Sequence, residues 1–144
     1  MRHYAIISSI LYCLVAFNVD ASQPVDFSGE WWSGRCAYVN LSQVGNRISG
    51  SYKPKVDSSD DQSLELVGYK TGVDLIAFLV SLGPNGPIVV WAGQHTAHNG
   101  EHLIIMKWHM AADVPDEEAS DDSILAAVST GADTFKRVKP SSCR

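Results

Sequence analysis

Residues 87–111, PIVVWAGQHTAHNGEHLIIMKWHMA, carry the clearest structural pattern in this chain. At its centre, Asn99-Gly100 is the strongest short hairpin signal, because a type I′ turn needs φ > 0 at both central residues. Pairing residues at equal distances from this turn places Trp91 directly opposite Trp108. The same register pairs Val89 with Met110, Gly93 with Met106 and His95 with Ile104. Two adjacent indoles on one sheet face indicate either a wall for a flat, apolar ligand or two core tryptophans.

From Gly29 onward, short β-patterned runs alternate with turn residues. They predict eight strands, at residues 29–34, 36–43, 47–54, 64–70, 74–82, 87–97, 101–111 and 124–138. One helical turn within residues 121–128 could precede the last strand. Such spacing fits an all-β sandwich or a barrel, but every connection is local and a closed sheet leaves no exposed edge. We therefore expect an all-β fold, an eight-stranded antiparallel up-and-down β-barrel, with room inside for one small ligand.

The N-terminus carries the features of a secretory signal peptide over residues 1–21. A short basic start precedes an apolar run, residues 5–17, which is too short to span a membrane, and small residues end at Ala21. An uncleaved anchor is the alternative. We expect a secreted or, in a bacterium, periplasmic protein with one barrel domain at residues 22–140 and a tail at residues 141–144.

Charge and cysteine content narrow the possible partners. The 144-residue chain has a formal net charge of −5 and no basic stripe, so we expect no nucleic-acid partner. No stretch beyond the signal is long and apolar enough for a membrane span. Outside the signal, Cys36 and Cys143 could pair with each other or between chains, or Cys143 could stay free.

No catalytic or metal motif stands out. The chain has no Gly-x-Ser-x-Gly or His-Glu-x-x-His sequence, so we expect neither an enzyme nor a cofactor. In the hairpin register, His95 and His102 face the interior, whereas His98 and His109 face outward. A metal site needs three or four converging ligands, so this arrangement does not predict one. The acidic residues 113–122 lack the glycine and spacing of a calcium loop and fit a solvated loop.

The outer wall of the barrel is unusually apolar in sequence. Residues 75–82 are apolar on both faces, and Val90, Ala92 and Ile105 continue the pattern on the neighbouring strands. A wall facing water should alternate instead. This pattern indicates either a contact with another subunit, and hence a homo-oligomer, or packing under a long loop.

Several short motifs occur together in one order and spacing. They are Gly29-Glu30-Trp31, Gly50-Ser51-Tyr52, Leu66-Val67-Gly68, Trp91-Ala92-Gly93-Gln94, Trp108 and Gly131-Ala132-Asp133-Thr134-Phe135. In this order the chain resembles the avidin/streptavidin family over residues 27–140. The resemblance implies a barrel that binds biotin at its open end and assembles through its walls as a dimer or tetramer.

The resemblance also implies a biotin site. Its residues would be Ser33, Tyr52, Leu82, Trp91, Trp108 and Asp133. Trp91 and Trp108 resemble the tryptophans that line the ring system, while Tyr52 and Ser33 match donors to the ureido oxygen. Asp133 matches the acceptor of a ureido N–H. Independently of the family, two indoles, a phenol and a carboxylate suit a neutral heterocycle such as a cyclic urea or amide.

The chain departs from the family pattern where further hydroxyls and tryptophans are expected. The substituted positions are Ala37, Pro54, Leu82, Pro87, Val89 and Leu125. Three or four lost hydrogen bonds amount to roughly 3–6 kcal/mol. The open-end loops are also acidic and would repel a free carboxylate. The resemblance therefore implies weakened biotin binding; the alternatives are an oligomeric interaction module with a decayed site and a carrier of another small heterocycle or apolar molecule.

Overall fold

The computed structural model describes residues 23–55 and 62–143, so the expected signal peptide lies outside the described residues. These described residues form eight strands: β1 (Gly29–Ser33), β2 (Tyr38–Val44), β3 (Arg47–Lys53), β4 (Leu64–Thr71), β5 (Leu75–Ser81), β6 (Ile88–His98), β7 (Glu101–Ala111) and β8 (Val128–Lys136). One helix, α1 (Asp121–Ala126), precedes β8. No helix in these described ranges is long and apolar enough to cross a membrane.

The strands form one closed barrel in sequence order, each antiparallel to the next. The barrel closes where β1 meets β8, with Trp32 opposite Lys136 and Ser33 opposite Phe135. Apart from this closure, neighbouring strands are consecutive in sequence, so successive connections alternate between the two ends. This arrangement confirms the predicted eight-stranded up-and-down β-barrel.

The β6–β7 hairpin has the register that its turn predicts. Asn99 and Gly100 both have positive φ, at 51° and 78°, as a type I′ turn requires. Trp91 pairs with Trp108, and each further predicted pair in this hairpin is also observed. The turn therefore fixes which side chains of the two longest strands face the interior.

Three predicted strand boundaries were wrong by two residues or more, and one of them is the end of the last strand, at Lys136 rather than at residue 138. The second strand begins at Tyr38 rather than at residue 36, because Cys36 adopts a left-handed φ of 67° within the β1–β2 turn. The last strand begins at Val128 rather than at residue 124, because the preceding residues form α1. A capping box at Ser120 starts this helix, with the Ser123 amide donating to the Ser120 hydroxyl at 3.2 Å.

The two ends of the barrel differ. At one end, residues 23–28 cross the barrel, and Phe27 is fully buried, with its carbonyl accepting a hydrogen bond from the Trp31 indole at 2.9 Å. The Arg137 guanidinium lies 3.7 Å from the centre of a Trp31 ring and donates to the Ser28 carbonyl at 2.7 Å. The other end receives the β1–β2, β3–β4, β5–β6 and β7–β8 connections and is open.

A disulfide joins Cys36 to Cys143 and settles the pairing that the sequence left open. After β8 the chain turns back along β1, with the Lys139 ammonium 5.2 Å from the centre of a Trp32 ring. The C-terminal tail is thereby attached to the turn at the open end.

Candidate ligand-binding site

The open end of the barrel contains a cavity of about 180 Å³. It is lined by Ser33, Arg35, Ala37, Tyr52, Pro54, Leu82, Val89, Trp91, Trp108, Met110 and Asp133. Pockets for drug-sized ligands measure about 300–1,000 Å³, so this one suits a small ring system whose substituent reaches solvent.

All six residues predicted for the site line this one cavity, although their roles in binding stay predictions. Strand alternation explains the convergence, since these side chains lie at inward positions of the strands and their mouth-side ends. Of the substituted positions, Ala37, Pro54 and Val89 line the cavity as well. Pro87 and Leu125 are not among its lining residues, and Leu125 is 71 % exposed.

The Ser33 hydroxyl is available to a ligand as a hydrogen-bond donor. Ser33 is fully buried, and its Oγ accepts hydrogen bonds from the amides of Ala37 at 3.0 Å and Arg35 at 3.3 Å. A hydroxyl has two acceptor lone pairs and one proton. With both lone pairs engaged by the turn, the proton is the group that remains for a ligand.

The Tyr52 phenol is a second donor. Burial, assisted by the nearby charge of Asp133, raises the pKa of Tyr52 to about 12. The phenol therefore stays protonated at neutral pH and can donate to a carbonyl oxygen. Its ring packs against Trp91, with the ring centres 5.2 Å apart.

Asp133 supplies the acceptor. The Trp91 indole N–H donates to Asp133 Oδ2 at 3.3 Å, which orients the carboxylate and the indole together. The Trp91 ring is also stacked on Phe78, with the ring centres 5.3 Å apart. An ionised carboxylate accepts through two oxygens, so one bond from Trp91 leaves acceptor capacity for a ligand N–H.

The Trp108 indole forms another part of the wall and depends on a glycine. A Cβ added at Gly131, its partner on β8, would lie 2.3 Å from Trp108 Cζ2. The missing side chain at Gly131 therefore lets the indole lie against the β8 backbone.

Sequence reasoning missed Arg35 and Met110 as lining residues. For Met110, the signal was present in the hairpin register, which pairs it with Val89. For Arg35, the available signal was its inward parity with Trp31 and Ser33, but a turn interrupts that parity.

Histidines lie at the opposite end, away from the cavity. His95 Nε2 is 2.9 Å from His102 Nδ1, and His95 Nδ1 is 3.3 Å from Asp74 Oδ1. Both rings belong to inward positions, as the hairpin register predicts. Within the described ranges, no group of three or more His, Cys, Asp or Glu residues could hold a metal ion.

The fold has known counterparts among solved structures. "Xenavidin" matches at a TM-score of 0.67 and 21% identity, covering 81% of this chain and 100% of that one. "Rhizavidin" matches at 0.60 and 18% identity, covering 78% and 83%. "Biotin binding protein from chicken" matches at 0.64 and 24% identity, covering 78% and 95%. No curated protein sequence gives a significant match.

The family comparison covers most of the chain. The model of the Avidin family matches residues 21–138, a range that includes every strand of the barrel and every residue lining the cavity. This chain belongs to the avidin family.

Proposed function

We propose that this protein binds biotin non-covalently in the open-end cavity, as a binding protein rather than an enzyme. The main support is the composition of the cavity. It brings together the protonated phenol of Tyr52, the oriented carboxylate of Asp133 and two indoles. Family membership supports the proposal, as does the fold shared with the protein described as a biotin-binding protein from chicken.

The cavity chemistry suits a cyclic urea. In the proposed complex, the Tyr52 and Ser33 hydroxyls donate to the ureido oxygen, and Asp133 accepts a ureido N–H. Trp91, Trp108 and Leu82 contact the fused rings. The small cavity holds the ring system, and the valerate chain extends toward the loops at the mouth.

We expect the affinity of this protein for biotin to be lower than that of a family member with all the expected hydrogen-bond donors. Ala37, Pro54 and Val89 line the cavity without side-chain hydrogen-bond donors, and Leu82 offers less apolar surface than a tryptophan. At about 1.4 kcal/mol per tenfold, the roughly 3–6 kcal/mol from lost hydrogen bonds lowers affinity by about two to four orders of magnitude.

Calorimetric titration of the protein with biotin and with biotin amide tests the proposal. We expect saturable binding of one ligand per chain, and loss of that binding in Asp133→Ala. Arg47→Ala, an exposed change at the opposite end of β3, is the matched control and should bind as the wild type does. Absence of heat and of a thermal shift at millimolar ligand would reject biotin as the ligand.

A second candidate function is an oligomeric interaction module, favoured by the outer wall. Large apolar side chains stand exposed on β4–β7: Val67, Tyr69, Leu75, Leu79, Val90 and Ile105. A depression of about 930 Å³ lies on this wall, larger than the inner cavity but without its converging donors and acceptor. In the described chain, no loop covers these side chains, which weakens the alternative of packing under a loop.

We propose that this wall contacts a second copy, giving a homo-oligomer, dimer or tetramer. Such assembly is compatible with biotin binding, and it would persist if the ligand site has decayed. Light scattering after size exclusion should give a multiple of the chain mass, reduced to one chain by Val90→Lys together with Ile105→Glu. A wild type that stays monomeric at high concentration would refute the assembly.

We propose further that the protein is secreted after removal of residues 1–21. The Cys36–Cys143 disulfide supports this, because disulfides persist in oxidising compartments. Mass spectrometry of protein from its native source should find an N-terminus at Ser22. An intact Met1 on the exported or cell-bound protein would contradict cleavage.

A further inference from the structure

The β1–β2 turn at the mouth has a fixed shape. The Ser33 amide donates to the Ala37 carbonyl at 2.8 Å, and the Cys36 amide donates to the Ser33 carbonyl at 3.1 Å. Cys36 holds a left-handed φ and is bonded to Cys143. A turn braced by hydrogen bonds and a covalent link loses little freedom when a ligand binds, so its side chains are preorganised.

Arg35 projects from this braced turn and lines the cavity. Among the residues described, it is the cationic side chain of the lining set, and no hydrogen bond or ion pair of its guanidinium is found there. Arg137, by contrast, is engaged by Trp31 and by backbone carbonyls. Arg35 is an exposed residue of the cavity lining, and its guanidinium carries five N–H donors.

The turn that carries Arg35 lies at the polar end of the cavity. Its own amide donates to the Ser33 hydroxyl at 3.3 Å, and only Gly34 separates the two residues within the β1–β2 turn. The donors of Ser33 and Tyr52 and the acceptor of Asp133 belong to the polar end of the site. Because Arg35 shares the β1–β2 turn with Ser33 and lines the same cavity, its guanidinium can reach this polar end.

We propose that Arg35 is a specificity-determining residue that donates to the carbonyl oxygen of the bound cyclic urea, beside Ser33 and Tyr52. This inference rests on the proposed biotin function and deepens it. Hydrogen bonds from an ionised donor are shorter and stronger than neutral ones, so Arg35 offsets the donor that Ala37 lacks. The same charge selects a neutral urea and disfavours an analogue with a cationic guanidine at that position.

The test is a calorimetric comparison of wild type, Arg35→Met, Arg35→Lys and Arg47→Met. The ligands are biotin, biotin methyl ester and 2-iminobiotin, whose cyclic guanidine is positively charged at neutral pH. We expect Arg35→Met to weaken biotin and its ester equally, by about 10- to 100-fold. It should also narrow the preference for biotin over 2-iminobiotin, while Arg35→Lys retains part of the affinity and Arg47→Met changes nothing.

The possible results distinguish the role of Arg35 from the proposed binding of biotin. If wild type binds biotin and Arg35→Met binds it equally well, the role of Arg35 is refuted and the biotin function stands. A loss confined to biotin, with the ester unaffected, would assign Arg35 to the carboxylate and likewise overturn the proposal. If wild type binds none of the three ligands, both proposals fail. Circular dichroism of Arg35→Met checks that the variant is folded.

Discussion

Ser33 and Tyr52 become hydrogen-bond donors by different physical means. Two backbone amides occupy the lone pairs of the Ser33 hydroxyl, which leaves its proton for the cavity. Tyr52 is a donor because a phenol keeps its proton at neutral pH, and burial with the charge of Asp133 raises its pKa further. Both residues were predicted for the site from the sequence. The hydrogen bonding and ionisation of their hydroxyls, however, depend on neighbours from other strands and on the turn.

The raised pKa of Tyr52 predicts a specific alkaline instability. In the unfolded chain a tyrosine ionises near pH 10, whereas in the barrel the pKa of Tyr52 is about 12. Between these values the unfolded state has lost the proton and the folded state has kept it, so this group lowers stability as pH rises. The slope is about 1.4 kcal/mol per pH unit, and it is absent below pH 10.

Urea denaturation of wild type and Tyr52→Phe from pH 9 to pH 12 measures this effect. The free energy of unfolding of wild type should fall more steeply than that of the variant above pH 10, and their difference isolates Tyr52 from other alkaline groups. Parallel pH profiles for the two proteins would contradict the assigned pKa.

At the scale of elements, the sequence predicted most where a turn dictates register. Asn99-Gly100 fixed the pairing of β6 with β7 because both residues must adopt positive φ. The start of β2 was missed because a left-handed cysteine is not readable from composition. The start of β8 was missed because the hydrophobic residues of α1 also suit a strand.

Gly100→Ala should destabilise the β6–β7 hairpin. The φ of 78° at Gly100 is costly for a residue with a Cβ, by about 1 kcal/mol. Asn99→Gly is the matched control, since glycine adopts the φ of 51° at that position without strain. Thermal unfolding should show a lower midpoint for Gly100→Ala alone; equal midpoints for both variants would contradict the role of the turn.

For the whole molecule, barrel closure could be predicted but the disulfide could not. The spacing of the predicted strands was enough to show that all connections are local and that no long crossover occurs, and barrel closure follows from this. Pairing Cys36 with Cys143 required knowing that the tail turns back along β1, and the sequence carries no signal for that path. Arg35 was missed because β1 ends at Ser33 and the following turn interrupts the strand alternation.

Removing the disulfide should cost substantial stability. The bond spans a sequence separation of 107 residues, and closing so long a loop restricts the unfolded chain strongly. Cys36→Ser with Cys143→Ser should lower the free energy of unfolding by about 2–5 kcal/mol in urea denaturation. Reduced wild type, measured with a thiol reductant, should match the double variant. A double variant as stable as oxidised wild type would show that the tail is held by other contacts.

The bond between Cys36 and Cys143 also decides how the molecule can be attached to something else. A partner protein or surface linker added after the last residue emerges beside the entrance of the cavity. A linker added before Gln23 emerges at the opposite, closed end. N-terminal tethering therefore leaves the entrance facing solution, whereas C-terminal tethering places the carrier next to the incoming ligand.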